Sequence, residues 1–250
     1  MSTVPGTEPP VWLYCFPHAG ATSAAYRPWK ALETDHLAIV PVDQPGRGTR
    51  RREARTEDFR ALVASTARLV ADDLRGARAA APGARWATFG HSFGATLSLA
   101  VAAEVERLLG EPPVRAFLSA ALPPALQQPD GTDDLTDEQL LEKIAADGGT
   151  PRELLASGAM SAFLVRLMRE DHAVRRQFPK EAGALRVGFP LTLIAARDDV
   201  YVTPERMWRW AEHSDVPARR VEIDGGHFAA VQEPAVVVSI VGRDLGEGER

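Results

Sequence analysis

Short apolar runs bounded by turn residues alternate along the chain with longer segments whose apolar positions recur at helical spacing. The runs Val11–Phe16, Leu37–Val42, Trp86–Phe89, Val114–Ser119, Leu191–Ala196 and Arg219–Ile223 predict strands. Their near-continuous apolar character predicts burial on both faces of a mostly parallel sheet. Between them, Glu57–Arg78 sets Phe59, Leu62, Val63, Leu69, Val70 and Leu74 at helical intervals with charged residues opposite, the pattern of a helix with one buried face. Phe93–Leu109 is apolar nearly all round and stops at Gly110 before Pro112, which predicts a buried helix with a glycine stop. Alternating strands and helices define an α/β domain with helices on both faces of the sheet.

One stretch breaks the alternation. From Pro129 to Phe178 only helical signals occur. Thr136 with Gln139, and Thr150 with Glu153, have capping-box spacing, and Pro151 takes the first helical position of the second. Ala162–Met168 and a charged stretch through Arg176 follow. About 50 helical residues between two strands exceed what a crossover requires. They predict a helical lid, residues 129–180, over one end of the sheet within a single domain spanning 1–250.

Composition narrows the classes. The 250 residues carry a net charge of −5, opposite to the basic excess of a general nucleic-acid binder. A single cysteine, Cys15, excludes an internal disulfide and a cysteine-based zinc site, and neither metal nor cofactor is expected. No apolar run reaches bilayer-spanning length. Met1 to Pro10 lacks the basic-then-apolar layout of a signal peptide, so a cytoplasmic protein without membrane attachment is expected.

Gly90-His91-Ser92-Phe93-Gly94 follows one predicted strand and opens the apolar helix. That is the context of a nucleophile elbow, a turn so tight that residues two positions from the serine must be small. A serine hydroxyl needs a base to take its proton and an acid to orient that base. On such an elbow the partners follow in the order serine, acid, histidine. Asp198 and Asp199 follow the strand Leu191–Ala196, and either can be the acid. His227, in Asp224-Gly225-Gly226-His227-Phe228, supplies an imidazole on a loop that two glycines allow to approach closely. His36 and His172 read as solvated. Donors for an oxyanion are expected from the backbone N–H of Phe93 and from the loop Phe16-Pro17-His18-Ala19-Gly20-Ala21, at Ala19 or Gly20.

Four motifs in order, Cys15-Phe16-Pro17-His18-Ala19-Gly20, Gln44-Pro45-Gly46-Arg47-Gly48, Gly90-His91-Ser92-Phe93-Gly94 and Gly225-Gly226-His227-Phe228, resemble those of type II thioesterases. These are stand-alone α/β-hydrolase enzymes of polyketide and nonribosomal-peptide biosynthesis, and the resemblance runs from about Val11 to Leu245. It implies a Ser92, Asp199 and His227 triad with an oxyanion hole from Ala19 and Phe93. It also implies hydrolysis of acyl groups from the phosphopantetheine thioester of an acyl or peptidyl carrier protein, which frees stalled or misprimed synthases. Phe93 stands where methionine is more familiar, Ala21 where a second glycine is frequent, and Ala195-Ala196 lacks a glycine before the acidic turn. Each departure bears on pocket shape.

Two further expectations concern specificity. Leu154, Leu155, Met160, Phe163, Leu164, Leu167 and Met168 form an apolar lid series read either as ordinary packing or as acyl-chain contacts. Arg47, Arg50, Arg51, Arg52 and Arg55 form a basic cluster in an acidic chain, read either as a solvated loop or as a docking patch for the carrier. A monomer is expected. A carboxylesterase or lipase with the same triad, and a non-catalytic binding module on the same fold, are the alternatives.

Overall fold

The computed structural model describes residues 9–128, 131–150, 155 and 157–246. Among them, β1 (Val11–Phe16), β2 (Leu37–Pro41), β3 (Arg85–His91), β4 (Arg115–Ser119), β5 (Leu191–Ala196) and β6 (Arg219–Ile223) form one sheet in the order β2-β1-β3-β4-β5-β6. Every neighbouring pair is parallel. β3 runs two residues past its predicted end because Gly90 still pairs with Phe16 and His91 with Ser119. Its last residues are therefore held on both sides when the chain turns at Ser92.

Side chains of β1 alternate between two cores. Tyr14 and Phe16 face one, Leu13 and Cys15 the other, as period-2 geometry requires. The first core is covered by α1 (Phe59–Ala80) and α2 (Phe93–Leu109). α1 starts two residues later than predicted because Asp58 is its N-cap, accepting a hydrogen bond from Ala61 N–H at 2.7 Å. α2 stops where expected, at Gly110 with φ 72°. The second core is covered by a 3₁₀ segment, Ser23–Leu32, and by α8 (Pro234–Asp244). There Trp29 and Tyr26 pack on Phe89 of β3, with ring centroids 4.8 and 5.9 Å away.

Between β4 and β5 lie α3 (Asp137–Asp147), α4 (Gly158–Arg175) and α5 (Phe178–Ala182). α3 carries the capping box expected at Thr136 and Gln139, and its Leu140 and Ile144 pack on Val165 of α4. The capping box at Thr150 and Glu153 rests on residues 151–153, outside the described residues. Two short helices, α6 (Pro204–Met207) and α7 (Ala229–Gln232), follow β5 and β6. No helix among the described residues is long and apolar enough to cross a membrane.

The strand order places the functional crevice. From β1 the chain moves outward to β2, whereas β3 lies on the opposite side of β1. The connections from β1 and β3 therefore lead toward opposite edges of the sheet, the switch point at whose carboxyl end open parallel sheets bind ligands. Phe89→Ala, which empties the aromatic contact behind the elbow strand, should cost about 3–5 kcal/mol. Urea unfolding should show a lower midpoint at an unchanged slope.

Candidate active site

Ser92 joins β3 to α2 with φ 54° and ψ −121°, a strained conformation for a residue with a Cβ. Its N–H donates to Ser119 O at 2.8 Å, tying the turn to β4. The flanking glycines are required by contact. A Cβ on Gly90 would overlap the backbone of Gly94 and Ala95, and a Cβ on Gly94 would overlap the carbonyl oxygens of Phe16 and Pro17. The elbow is thus pressed against the loop leaving β1. Phe93 N–H lies in the first turn of α2, where helix donors lack intrahelical acceptors.

The ambiguity between the two aspartates is resolved by position. Asp198 is exposed, whereas Asp199 is buried. Asp199 Oδ1 accepts from the N–H groups of Tyr201 (2.8 Å) and Val202 (3.0 Å), and Oδ2 lies 2.8 Å from His227 Nδ1. A carboxylate so held can only accept, so Nδ1 carries the proton and Nε2 the lone pair. His227 reaches this position because Gly225 takes φ 100° and its loop passes Asp198, whose N–H donates to Gly225 O at 2.9 Å.

Two more histidines surround the catalytic candidate. His91 packs on His227 with centroids 5.3 Å apart, and His18 packs edge-on to Phe228 at 4.9 Å. Both are buried. Burial, reinforced by the neighbouring His227, pushes His18 from its ordinary 6.5 down to about 4. Burial, with His227 and His18 nearby, pushes His91 well below its ordinary value. Neutral imidazoles therefore line His227 rather than competing cations.

Ser92, His227, Ala19 and Phe93 all lie in the wall of one cavity of about 560 Å³. Of the lid series, Met168 lines the cavity, followed on the same face of α4 by His172 and Arg175. Leu164 and Leu167 are buried elsewhere in the packing, Met160 is exposed, and Arg166 lies over the Phe163 ring. Leu155 packs against the contact of α3 with α4, and Leu154 lies outside the described residues. His172, expected to be solvated, is half-buried in the cavity wall. The i, i+4, i+7 spacing of Met168, His172 and Arg175 was the signal for this face. Thr96 of α2 and Tyr201 of the acid loop also line the cavity and carried no sequence signal.

The arginine cluster divides. Arg47 is buried and paired to Asp171 of α4. Arg50 is buried, donating to Glu53 (2.8 Å) and Ser65 Oγ (2.8 Å). Arg55 pairs with Glu170. Arg51 and Arg52 are exposed. Three of the five guanidiniums thus pair with the carboxylates of Asp171, Glu53 and Glu170, and two point to solvent.

A strained serine elbow, a buried acid holding a histidine, and a parallel sheet carrying both at its carboxyl edge define an α/β-hydrolase. The chain belongs to the thioesterase domain family, whose model matches residues 12–245, and is an enzyme of the thioester-hydrolase class. RedJ, a thioesterase from the prodiginine biosynthetic pathway in Streptomyces coelicolor, is 29% identical over 97% of this chain and 95% of its own, with a TM-score of 0.79. BorB, a type II thioesterase from the borrelidin biosynthetic cluster, is 26% identical over 97% of this chain and 95% of its own, with a TM-score of 0.78. Linear gramicidin dehydrogenase LgrE of Brevibacillus parabrevis is 26% identical over 94% of this chain and 87% of its own. Here the turn after β1 reads Phe16-Pro17-His18-Ala19-Gly20-Ala21, without the Gly-x-Gly-x-x-Gly of a dinucleotide fold. The similarity to type II thioesterases that the four motifs carry is matched by BorB, and RedJ is likewise a thioesterase.

The buried imidazoles make the fold acid-sensitive. The unfolded chain protonates His18 below about 6.5 and the native state only below about 4. Stability from this group is complete above pH 6.5 and is lost as pH falls to 4, by about 3 kcal/mol. Melting temperature against pH should fall over that window, and the His18→Gln curve should be flatter than the wild-type curve.

Proposed function

We propose that this enzyme hydrolyses acyl groups from the phosphopantetheine thioester of a carrier protein, through an acyl-enzyme on Ser92. The observation that carries the reading is the Asp199 Oδ2 to His227 Nδ1 contact of 2.8 Å, with His227 in the same cavity wall as the strained Ser92. His227 Nε2 takes the Ser92 proton as Oγ attacks the thioester carbonyl, and Asp199 stabilises the imidazolium. Charge on the carbonyl oxygen is met by the N–H groups of Phe93 and Ala19. The thiolate leaves as a thiol with the proton from His227. A water that gives its proton to His227 then attacks the acyl-enzyme, and collapse of the second tetrahedral intermediate returns the proton to Ser92 and releases the acid.

Two features support a carrier-borne substrate. The cavity is lined by Lys143, Arg175, Arg176 and Arg206 against Asp133 and Asp147, a basic balance in a chain of net charge −5 that suits a phosphate-bearing arm. The exposed Arg51 and Arg52 are what remains of the docking patch for an acidic carrier surface. The helices between β4 and β5 act as the lid of a single hydrolase domain, with Met168 meeting the acyl chain.

Ser92→Ala should keep the wild-type melting temperature and lower kcat by at least about 10⁴-fold, read by mass spectrometry of acyl-carrier protein before and after exposure to enzyme. Arg51→Glu with Arg52→Glu should slow hydrolysis of acyl-carrier protein severalfold and leave a small free thioester unchanged. Equal slowing of both substrates overturns the docking role. A preference for aryl esters over acyl-carrier protein overturns the thioester reading.

A further inference from the structure

Three segments far apart in sequence meet behind the loop that leaves β1. Arg47, in the loop after β2, grips Asp171 of α4 with both terminal nitrogens: Nη1 to Oδ2 and Nη2 to Oδ1, each at 2.7 Å. Oδ2 also accepts the N–H of Gly20 at 2.7 Å. The same Nη1 donates to Ala21 O at 3.3 Å. Both charged side chains are nearly sealed from solvent, 4% and 2% exposed.

Stability alone is a poor reason for this pair. A buried ion pair costs desolvation on both partners, and apolar residues of similar volume often do as well or better. This pair is not even fully satisfied, since Arg47 Nε is buried without a hydrogen-bond partner. What apolar residues cannot do is accept the Gly20 N–H. Gly20 sits at φ 76°, and a Cβ there would press on Met168 Cε, one turn before Asp171 on α4. The helix thus moulds the loop by shape through Met168 and by hydrogen bonding through Asp171. Burial raises the Asp171 carboxyl, and Arg47 with the Gly20 N–H opposes that rise, so the three groups maintain one another.

We propose that Asp171 and Arg47 are positioning residues for the oxyanion hole: the lid helix engages the Gly20 N–H and fixes the Ala19–Gly20 peptide, leaving Ala19 N–H as the donor to the substrate oxygen. This rests on the reading of Ser92 as nucleophile and Ala19 as oxyanion donor. It also gives the lid a second task, since the helix that roofs the cavity carries the acceptor that orients the catalytic loop. The effect belongs to the tetrahedral intermediate, whose oxyanion needs the donor, more than to the bound thioester.

The test uses Asp171→Asn and the apolar double variant R47M/D171L beside wild type, with melting temperatures to establish folding. An acyl-N-acetylcysteamine thioester gives kcat and KM. A trifluoromethyl ketone, whose carbonyl carbon bonds to Ser92 Oγ while its oxygen becomes an alkoxide and the serine proton passes to His227, gives a Ki that reports the hole directly. The expected result is kcat lower and Ki weaker by a similar factor, about 10–100-fold, short of the ~10²–10³ for a deleted donor. KM should stay within about twofold and the pH profile should be unmoved. Wild-type kcat and Ki in a folded apolar double variant, or a loss confined to KM, overturns the proposal, and Asp171→Asn, which retains one acceptor oxygen, gives the smaller loss. If R47M/D171L does not fold, R47M/D171M, whose flexible side chains fill the same space without an acceptor, decides. Ser92→Ala in the same series separates the layers. An active Ser92→Ala overturns the triad and this inference together, whereas an inactive one beside fully active Asp171 variants overturns this inference alone.

Discussion

The contact on which the site depends is the one between two backbones: Gly94, at the start of α2, against the carbonyls of Phe16 and Pro17 at the end of β1. Neither strand end could come so close if position 94 carried a side chain. Because they do, the serine turn and the loop expected to supply the second oxyanion donor share one wall of the cavity. Strain at Ser92 is tolerated because the turn is held from several sides. β3 pairs through Gly90 and His91, Ser92 N–H is bonded to β4, and α2 is buried along most of its length. A conformation costing on the order of 1–3 kcal/mol survives where the surroundings over-determine it.

Acid and base obey a different constraint, that of desolvation. Asp199 is withdrawn from water yet accepts two backbone N–H groups and faces the His227 ring, so its charge is stabilised by fixed dipoles rather than solvent. The same dry surroundings disfavour protonation of His18 and His91. A cation next to His227 would oppose formation of the imidazolium; two neutral rings do not. Burial thus contributes to orientation and to electrostatics at once, and the cost appears as acid sensitivity.

Features carried by short local patterns were legible in the sequence, and features set by helix rotation were not. The elbow, the order of acid and histidine, and the Thr136 capping box each depend on a few neighbouring residues. The phase of α4 does not. Leu164, Leu167 and Met168 are similar in hydrophobicity, and which of them meets the cavity is decided by how the helix docks, which residues such as Asp171, bonded across 124 and 151 positions, determine. Arg47 shows the same limit. Five arginines in nine positions read as a surface patch, because nothing nearby reveals that Asp171 and Glu170 lie waiting on a helix far along the chain.

The helices α3 and α4, which fill the long connection from β4 to β5, are held in different ways. α3 meets the acid loop through polar contacts near the surface, Tyr201 hydroxyl to Asp147 at 2.6 Å and Lys143 to the same hydroxyl at 3.1 Å. α4 meets the β1 and β2 loops through a buried fork of hydrogen bonds. Hydrogen bonds at the surface exchange readily with water, whereas breaking a buried ion pair strands a charge. The two helices are therefore unequal partners. α4 is tied to the loop beside the serine by buried charges, and α3 to the Asp199 loop by hydrogen bonds open to water.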